Sequence, residues 1–383
     1  MKKKLLAVAV AGALSAPVVA LAQSSVTISG NLKMSLQQYK LSNSARVGVN
    51  TSQTLVHDDS SRIIFNMVED LGGGLQAIGQ VDWRVTVDAG ADAAAGNNHV
   101  GLRSKAWGRV FFGRQDVHYF GRESDLTVKN DLQSDSISLL AFTAGAGVPA
   151  GGIAIAGATR TTNIVHYTTP NWGGFTGIVA YSFNPTLPEA DITLVAPATT
   201  RKGSAWNVAP TFEGRNFTVG YSYWRQELDS TGAFANQRGD RLFGSYRWGG
   251  FRIGLAWDKS KVTNEGGVVN AVTGTTTAAK RDAWSVPIEY TWGPHWIGGH
   301  YTKANNDKAT SGIDDGAKMW AIGYNYSLSK RTSVGVTYAQ ISNDTGATYT
   351  PFTGNGGLGG GAAHTALAGE DPRFWSMTIR HAF

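Results

Sequence analysis

From about residue 25 to Phe383 the chain repeats one pattern: apolar and polar residues alternate for roughly ten positions, then a turn signal intervenes. The clearest copy is LQAIGQVDWRVTVD. Leu75, Ala77, Gly79, Val81, Trp83, Val85 and Val87 form one face, and Gln76, Gln80, Asp82, Arg84, Thr86 and Asp88 the other, interrupted only by Ile78. FTVGYSYW repeats it through Phe217, Val219, Tyr221 and Tyr223. RLFGSYRW sets Leu242, Tyr246 and Trp248 against Arg241, Ser245 and Arg247. FRIGLAWD sets Phe251, Ile253, Leu255 and Trp257 against Arg252 and Asp258, and AWSVPIEYTW runs Trp284, Val286, Ile288, Tyr290 and Trp292 along one side. A period of two predicts strands with one apolar face.

The connections alternate in length. Short ones fall at 72–74, 106–108, 171–174, 213–215, 249–250, 293–294 and 328–331. Long, polar ones fall near 40–57, 89–97, 115–161, 184–204, 229–239, 262–281, 305–316 and 344–371. Eight long and seven short connections predict sixteen strands, the first starting near Val26 and the last reaching Phe383. Short turns at one end and long loops at the other are the layout of an all-β, sixteen-stranded antiparallel transmembrane β-barrel. A sheet in lipid must close, because its backbone groups find no water there. An even strand count puts both ends on the periplasmic side. Aromatics at strand ends (Trp83, Tyr181, Phe183, Trp248, Trp257, Trp292, Tyr324, Tyr326 and Trp375) suit the membrane–water interface. A secreted all-β protein is the alternative, but it would not explain the asymmetry of loop length. The last strand, FWSMTIRHAF, places Trp375, Met377, Ile379, His381 and Phe383 on the lipid or subunit side and Ser376, Thr378 and Arg380 on the lumen side.

The first residues alter the accounting of charge. MKKKLLAVAVAGALSAPVVALAQ has three lysines, an apolar stretch and Ala20-Leu21-Ala22. This predicts a secretory signal peptide over 1–22, cleaved after Ala22, with the barrel over 23–383. Export without those lysines lowers the net charge from +6 to +3, 31 basic residues against 28 acidic. That balance does not call for a nucleic-acid partner. The absence of cysteine removes disulfides, thiolate metal sites and Cys nucleophiles. No paired-His spacing suggests a metal, no phosphate-cradling motif suggests a cofactor, and the Gly-rich run at 354–361 lies in the last long connection.

Sixteen strands leave an aqueous channel. Polar lumen positions agree: Gln76, Gln80, Asp82, Arg84, Arg103, Thr176, Ser182, Arg241, Ser245, Glu289 and Arg380. Water in the lumen removes the cost of burying them. The longest connection, 115–161, pairs acidic residues (Asp116, Glu123, Asp125, Asp131 and Asp135) with the apolar run ISLLAFTAGAGVPAGGIAIAGA. So apolar a segment is expected to fold inward, as a third loop that narrows the channel. Its acids would then face a basic wall of Arg62, Arg84, Arg103, Lys105 and Arg109, and opposed charges across a gap set ion selectivity.

SRIIFNMVEDLGGGLQAIGQVDW, GRVFFGRQD, YTTPNWGGF, YSLSKRT and the closing IRHAF resemble, in order along nearly the whole mature chain, the trimeric general porins of Gram-negative bacteria, in their beta-proteobacterial branch. The resemblance implies an outer-membrane homotrimer, a third loop folded into the pore after GRQD, and passive diffusion of ions and small hydrophilic solutes. It also implies that Phe383 is a terminal signal read by the outer-membrane barrel assembly machinery. Basic residues outnumber acidic ones on the wall, which suggests mild anion preference. Two rivals stand beside this reading. A substrate-specific channel would use an aromatic slide, for which Trp224, Phe243 and Phe111 are scattered candidates. A barrel-based enzyme would need a nucleophile and base at the rim; His118 near Asp116 and Glu123, and His166 facing the lumen, fall into no such motif.

Overall fold

The computed structural model describes residues 24–118, 137–140, 160–185, 202–229, 236–263, 277–309, 312–351 and 366–383. The expected signal peptide lies outside them. Strands β1 (Ser25–Ser42), β2 (Ser52–Asp58), β3 (Arg62–Gly72), β4 (Leu75–Thr86), β5 (Ala91–Ala93), β6 (Asn98–Ser104) and β7 (Gly108–Asp116) make the first part of one sheet. It continues through β8 (Arg160–Thr168), β9 (Phe175–Ser182), β10 (Lys202–Glu213), β11 (Phe217–Asp229), β12 (Asn236–Trp248) and β13 (Phe251–Thr263). β14 (Thr277–Trp292), β15 (His295–Ala304), β16 (Ala317–Ser327), β17 (Thr332–Asn343) and β18 (Asp371–Ala382) complete it.

These eighteen segments are sixteen staves. β1 pairs with β3 from Ser25 to Asn31 and with β2 from Met34 to Lys40, so β2 and β3 are one interrupted strand. β4 likewise pairs with both β5 and β6. The first interruption has a local cause. The Asp58 carboxylate accepts the N–H groups of Ser60 (3.0 Å) and Ser61 (3.1 Å), and Ser60 takes φ 72°, so the chain turns aside and resumes. Every neighbouring pair is antiparallel, and β1 pairs with β18 from Asn31↔Ala382 to Ser42↔Asp371, which closes the sheet into a barrel.

The tight turns follow their residues. In EDLGGG all three glycines take positive φ (83°, 60° and 78°), and Gly72 N–H donates to Asp70. The alternation sorts faces as expected. On β12, Arg241 is 2% exposed beside Leu242 at 52%; on β13, Arg252 is 7% exposed and Ile253 50%. Ile78, the exception in its strand, faces inward and is buried. A continuous outer belt of exposed Leu, Ile, Val and aromatic residues would be untenable in water and is stable against hydrocarbon.

The lumen has two unlike halves. From β13 to β17 its wall carries small residues: Ala256, Ala283, Ala304, Ala317, Ala321 and Ala339, all buried. The helical turn Ile137–Leu140 of the longest connection packs there. Leu139 and Leu140 are fully buried in one cluster with those alanines, Met319, Ile341 and Phe374. Each buried leucine contributes about 1.5–3 kcal/mol of burial, and side chains larger than Ala on this wall would occupy the turn's place. The opposite half of the lumen is charged.

Candidate functional site

The charged wall is built from β3, β4, β7, β8 and β18. Arg62 and Arg84 are register partners on β3 and β4, and both bridge to Asp82, at 3.6 Å and 2.9 Å. Arg84 also donates to Ser60 Oγ at 2.7 Å. Asp82 is almost fully buried, so both guanidinium groups are fixed from behind. Arg160, the first residue of β8, lies opposite Asp116, the last of β7; its Nε donates to that carboxylate at 3.0 Å, and Asn97 donates to the other oxygen at 2.8 Å. Arg62 shares its surroundings with Asp82, Arg160, Asp116 and Arg380, and Arg114 lies beside Arg160 and Asp116. Among the described residues this patch joins five arginines (62, 84, 114, 160 and 380) to two carboxylates, a net charge of +3. Like charges so close repel, and Asp82 and Asp116 hold them in place while leaving the field positive.

The structure divides the expected basic wall into two levels. Arg103 and Arg109 are register partners near a short turn, with Arg103 Nε donating to Gln76 at 2.7 Å, and Lys105 lies in the turn itself. Gln76 is eight residues from Arg84 along β4, about 26 Å of strand. Arg103, Lys105 and Arg109 therefore stand at the short-turn mouth, while Arg62 and Arg84 stand deeper in. Asp116 is likewise on the wall, as a strand residue paired to Arg160, rather than on a loop facing the wall. Glu123, Asp125, Asp131 and Asp135 lie outside the described residues. Arg114 and Arg160 escaped the sequence reading. Arg160 falls inside the expected connection 115–161 because β8 opens on the polar run RTTN, which shows no alternation. Arg114 belongs to the GRQD segment where alternation is broken by a register shift between Gly113 and Gln115.

The connection leaves the wall at once. His118, with φ 25°, sends Nδ1 to Ser222 Oγ (2.9 Å) on the inner face of β11, four staves from β7. Gly239 on β12 leaves room for that ring: a Cβ there would sit 2.6 Å from His118 Nε2. The helical turn is held farther along, where Arg281 of β14 donates to the Leu140 carbonyl at 3.0 Å and reaches the Tyr349 hydroxyl. Both described pieces of this connection thus lie inside the barrel.

Phe111, Trp224 and Phe243 all face inward, as parity predicts. They form no continuous track. Phe111 is stacked between His99 (4.2 Å) and His166 (4.5 Å), and Phe243 is part of the cluster beneath the helical turn. No group of three or more His, Cys, Asp or Glu side chains suited to a metal occurs among the described residues.

Comparison with known proteins agrees with this architecture. The chain is 28% identical over 303 residues to an outer membrane porin protein of Bordetella pertussis, covering 70% of this chain and 72% of that one. It is 26% identical to outer membrane porin protein 32 of Delftia acidovorans, over the full length of both. Among solved structures, an anion-selective porin from Comamonas acidovorans superposes with a TM-score of 0.73 at 22% identity, covering 94% of this chain and all of that one. OmpT of Vibrio cholerae in its trimer form gives 0.64 at 14% identity, covering 94% and 99%. The Gram-negative porin family pattern matches residues 6–370. With the closed sixteen-stave barrel and its charged lumen, this makes the chain a member of the Gram-negative porin family, located in the outer membrane.

Proposed function

We propose that the protein is a water-filled channel for passive diffusion of ions and small hydrophilic solutes, preferring anions, and that it is not an enzyme. The observation that carries the preference is the wall of five arginines against two buried-side carboxylates. A cation passing this level meets net repulsion, and an anion meets guanidinium groups already positioned by Asp82, Ser60 and Asp116. The similarity to the anion-selective porin from Comamonas acidovorans supports the same reading. Acids of the third loop would moderate the preference.

We infer a homotrimer from the outer face as well as from the trimer form of the Vibrio cholerae relative. At the long-loop ends of β9–β11 and β13–β18 the outward residues form an aromatic row: Tyr181, Trp206, Tyr223, Trp257, Trp284, Tyr301, Trp320, Tyr338 and Trp375. The outward face of β1–β3 is mainly aliphatic, with Ile28, Leu32, Leu36, Val56, Ile63 and Met67. A face without interfacial anchors suits protein contact better than lipid. Assembly would enlist the barrel assembly machinery, with Phe383 as part of the signal.

Planar-bilayer recording under a KCl gradient tests this. The expected reversal potential has the sign of anion preference, and channels appear in steps of three. Replacing Arg62, Arg84 and Arg160 together with Gln is expected to lower the anion-to-cation permeability ratio several-fold. Clear cation preference of the unaltered protein would overturn the proposal. Steady conductance that no single sugar or phosphate blocks distinguishes it from a substrate-specific channel.

A further inference from the structure

Both interruptions of the sheet flank β4, the strand of Asp82 and Arg84. In the second, Ala93 is opposite Arg84 and His99 is opposite Gln80, so six residue steps on one stave face four on the other, a bulge of two residues. Bulges re-aim side chains next to functional sites. Asp82 stands opposite this one and is wrapped by it. Its carbonyl accepts the Gly96 N–H (3.0 Å), its N–H donates to Asn98 Oδ1 (2.9 Å), and its carboxylate accepts the Asn97 N–H (3.4 Å). Only bare backbone fits there, because a Cβ on Gly96 would lie 2.0 Å from the carboxylate carbon of Asp82.

The Asn97 side chain turns to the other acid of the wall. Its Oδ1 accepts the Asp116 N–H at 2.9 Å, and its Nδ2 donates to Asp116 Oδ2 at 2.8 Å. The amide stands in for a peptide group across the break, and it directs its donor at the carboxylate. Asn can do both, whereas an ionised Asp offers acceptors alone. Arg160 takes the remaining oxygen, Oδ1, at 3.0 Å and donates through Nη1 to the Ala95 carbonyl at 3.2 Å. Asn97 therefore touches both acids of the arginine wall. In the pairs Arg62–Asp82, Arg84–Asp82 and Arg160–Asp116 the guanidinium is the more exposed partner each time, at 28% against 1%, 14% against 1% and 23% against 17%. The lumen meets the cations, and the acids are held from behind.

We infer that Asn97 is a positioning residue for ion selectivity: by holding Asp116 against the break, it keeps this acid from turning onto the lumen face of the arginines and cancelling their charge. The inference rests on the anion preference proposed above. Without the amide, Asp116 loses the neutral donor to Oδ2 and the acceptor for its N–H. The nearest replacement donors are the guanidinium groups of Arg62, Arg114 and Arg160, which share its surroundings and bind carboxylate more strongly than an amide does. An acid so turned screens the wall with no change in its formal charge.

The test measures reversal potential under a KCl gradient for the full-length protein in planar bilayers, with neutral-sugar flux into proteoliposomes as the gauge of pore width. Asn97→Leu leaves the net charge unaltered and is expected to lower the anion-to-cation permeability ratio about two- to threefold at constant sugar flux. Asp116→Asn removes the acid that Asn97 holds, so adding Asn97→Leu to it should leave the ratio where Asp116→Asn alone puts it. Asn97→Ser, a smaller neutral change, should move the ratio in the same direction and serves where Asn97→Leu fails to assemble. An unchanged ratio in the neutral variants, or an equal fall in the Asp116→Asn background, would overturn the role of Asn97 and leave the anion preference standing. A fall accompanied by a proportional change in sugar flux would overturn it as well, since that marks a distorted wall. Cation preference of the unaltered protein would overturn the preference and this inference together.

Discussion

Glu370 ties the first long connection to the barrel rim. Arg46 donates to both of its carboxylate oxygens at 2.7 Å, and Ser44 and the Leu367 N–H add further bonds. Burial alone would raise this carboxyl. The hydrogen bonds from Arg46, Ser44 and Leu367 overcome it and hold the group at about 2, below its ordinary 4.5. A depressed folded-state pKa stabilises fully above the unfolded value and is lost as pH falls through the folded one. Glu370→Gln should therefore lower the thermal stability of the loop region at neutral pH, and the gap to the unaltered protein should close between pH 4.5 and about 2. A gap that stays constant over that range in a pH-resolved melting series would refute the assignment. Asp315 runs the other way: burial raises it to about 6, so its ionisation costs stability as pH rises from 3.8 towards 6. Such pairings were not legible in the sequence, since Arg46 and Glu370 are joined only by the closure of β1 against β18. Which residues face the lumen was legible, because parity alone decides it. Arg84 and Arg380 alternate with the exposed Trp83 and Ile379, which places both on the lumen side. Their level in the barrel depends on register, and so Arg103 and Arg109 were grouped with charges that stand far from them.

At the scale of the element, the strands and their turns could be read from alternation and from signals such as EDLGGG. The interruption at 59–61 could not, because SQTLVHD carries no alternation and almost all of β2 therefore falls inside the stretch expected as the first long connection, 40–57. The path of the longest connection was signalled by ISLLAF, an apolar run that water would not tolerate. What the run packs against was hidden in plain alanines on five separate strands. Arg281 is the residue that fastens it. Its guanidinium caps the carbonyl of Leu140 and lies 5.5 Å from the Tyr349 ring, so one side chain joins the helical turn to β14 and to the last long connection. Loss of such a buried charge leaves a backbone carbonyl unpaired and two loops unlinked. Arg281→Met is expected to leave strand content unchanged in circular dichroism while increasing the frequency of brief current transitions and broadening the conductance distribution in bilayers. Quiet, uniform channels from that variant would show that apolar packing of Leu139 and Leu140 holds the turn unaided.

A barrel has no edge only if its seam holds, and the seam of this one is β1 against β18. Its register runs from Ser42↔Asp371 to Asn31↔Ala382, and Phe383 extends it with two more backbone bonds: its N–H donates to the Gly30 carbonyl at 3.1 Å and its carbonyl accepts the Gly30 N–H at 3.2 Å. Gly30 is the point of closest approach. A Cβ there would lie 2.2 Å from the Arg62 carbonyl and 2.9 Å from the Phe383 ring, so the ring covers Gly30 where three staves meet. Outward neighbours Ile379 and Met377 continue the apolar face, and His381, the polar exception on it, bonds to Thr332 at 2.9 Å. Deleting Phe383 removes two ladder bonds and one aromatic contact from a seam that keeps all its other pairs. The completed channel should conduct normally, because no lumen residue changes. Before closure the cost is different: β18 must find β1 across the longest sequence separation in the molecule, and the last pairs of that ladder are few. The deletion is therefore expected to reduce the yield of heat-resistant trimer in the outer membrane severalfold while the channels that do form show unaltered conductance and selectivity. Trimer in normal amount would refute the role assigned to Phe383, and normal yield with altered conductance would place the residue in the pore instead of the seam.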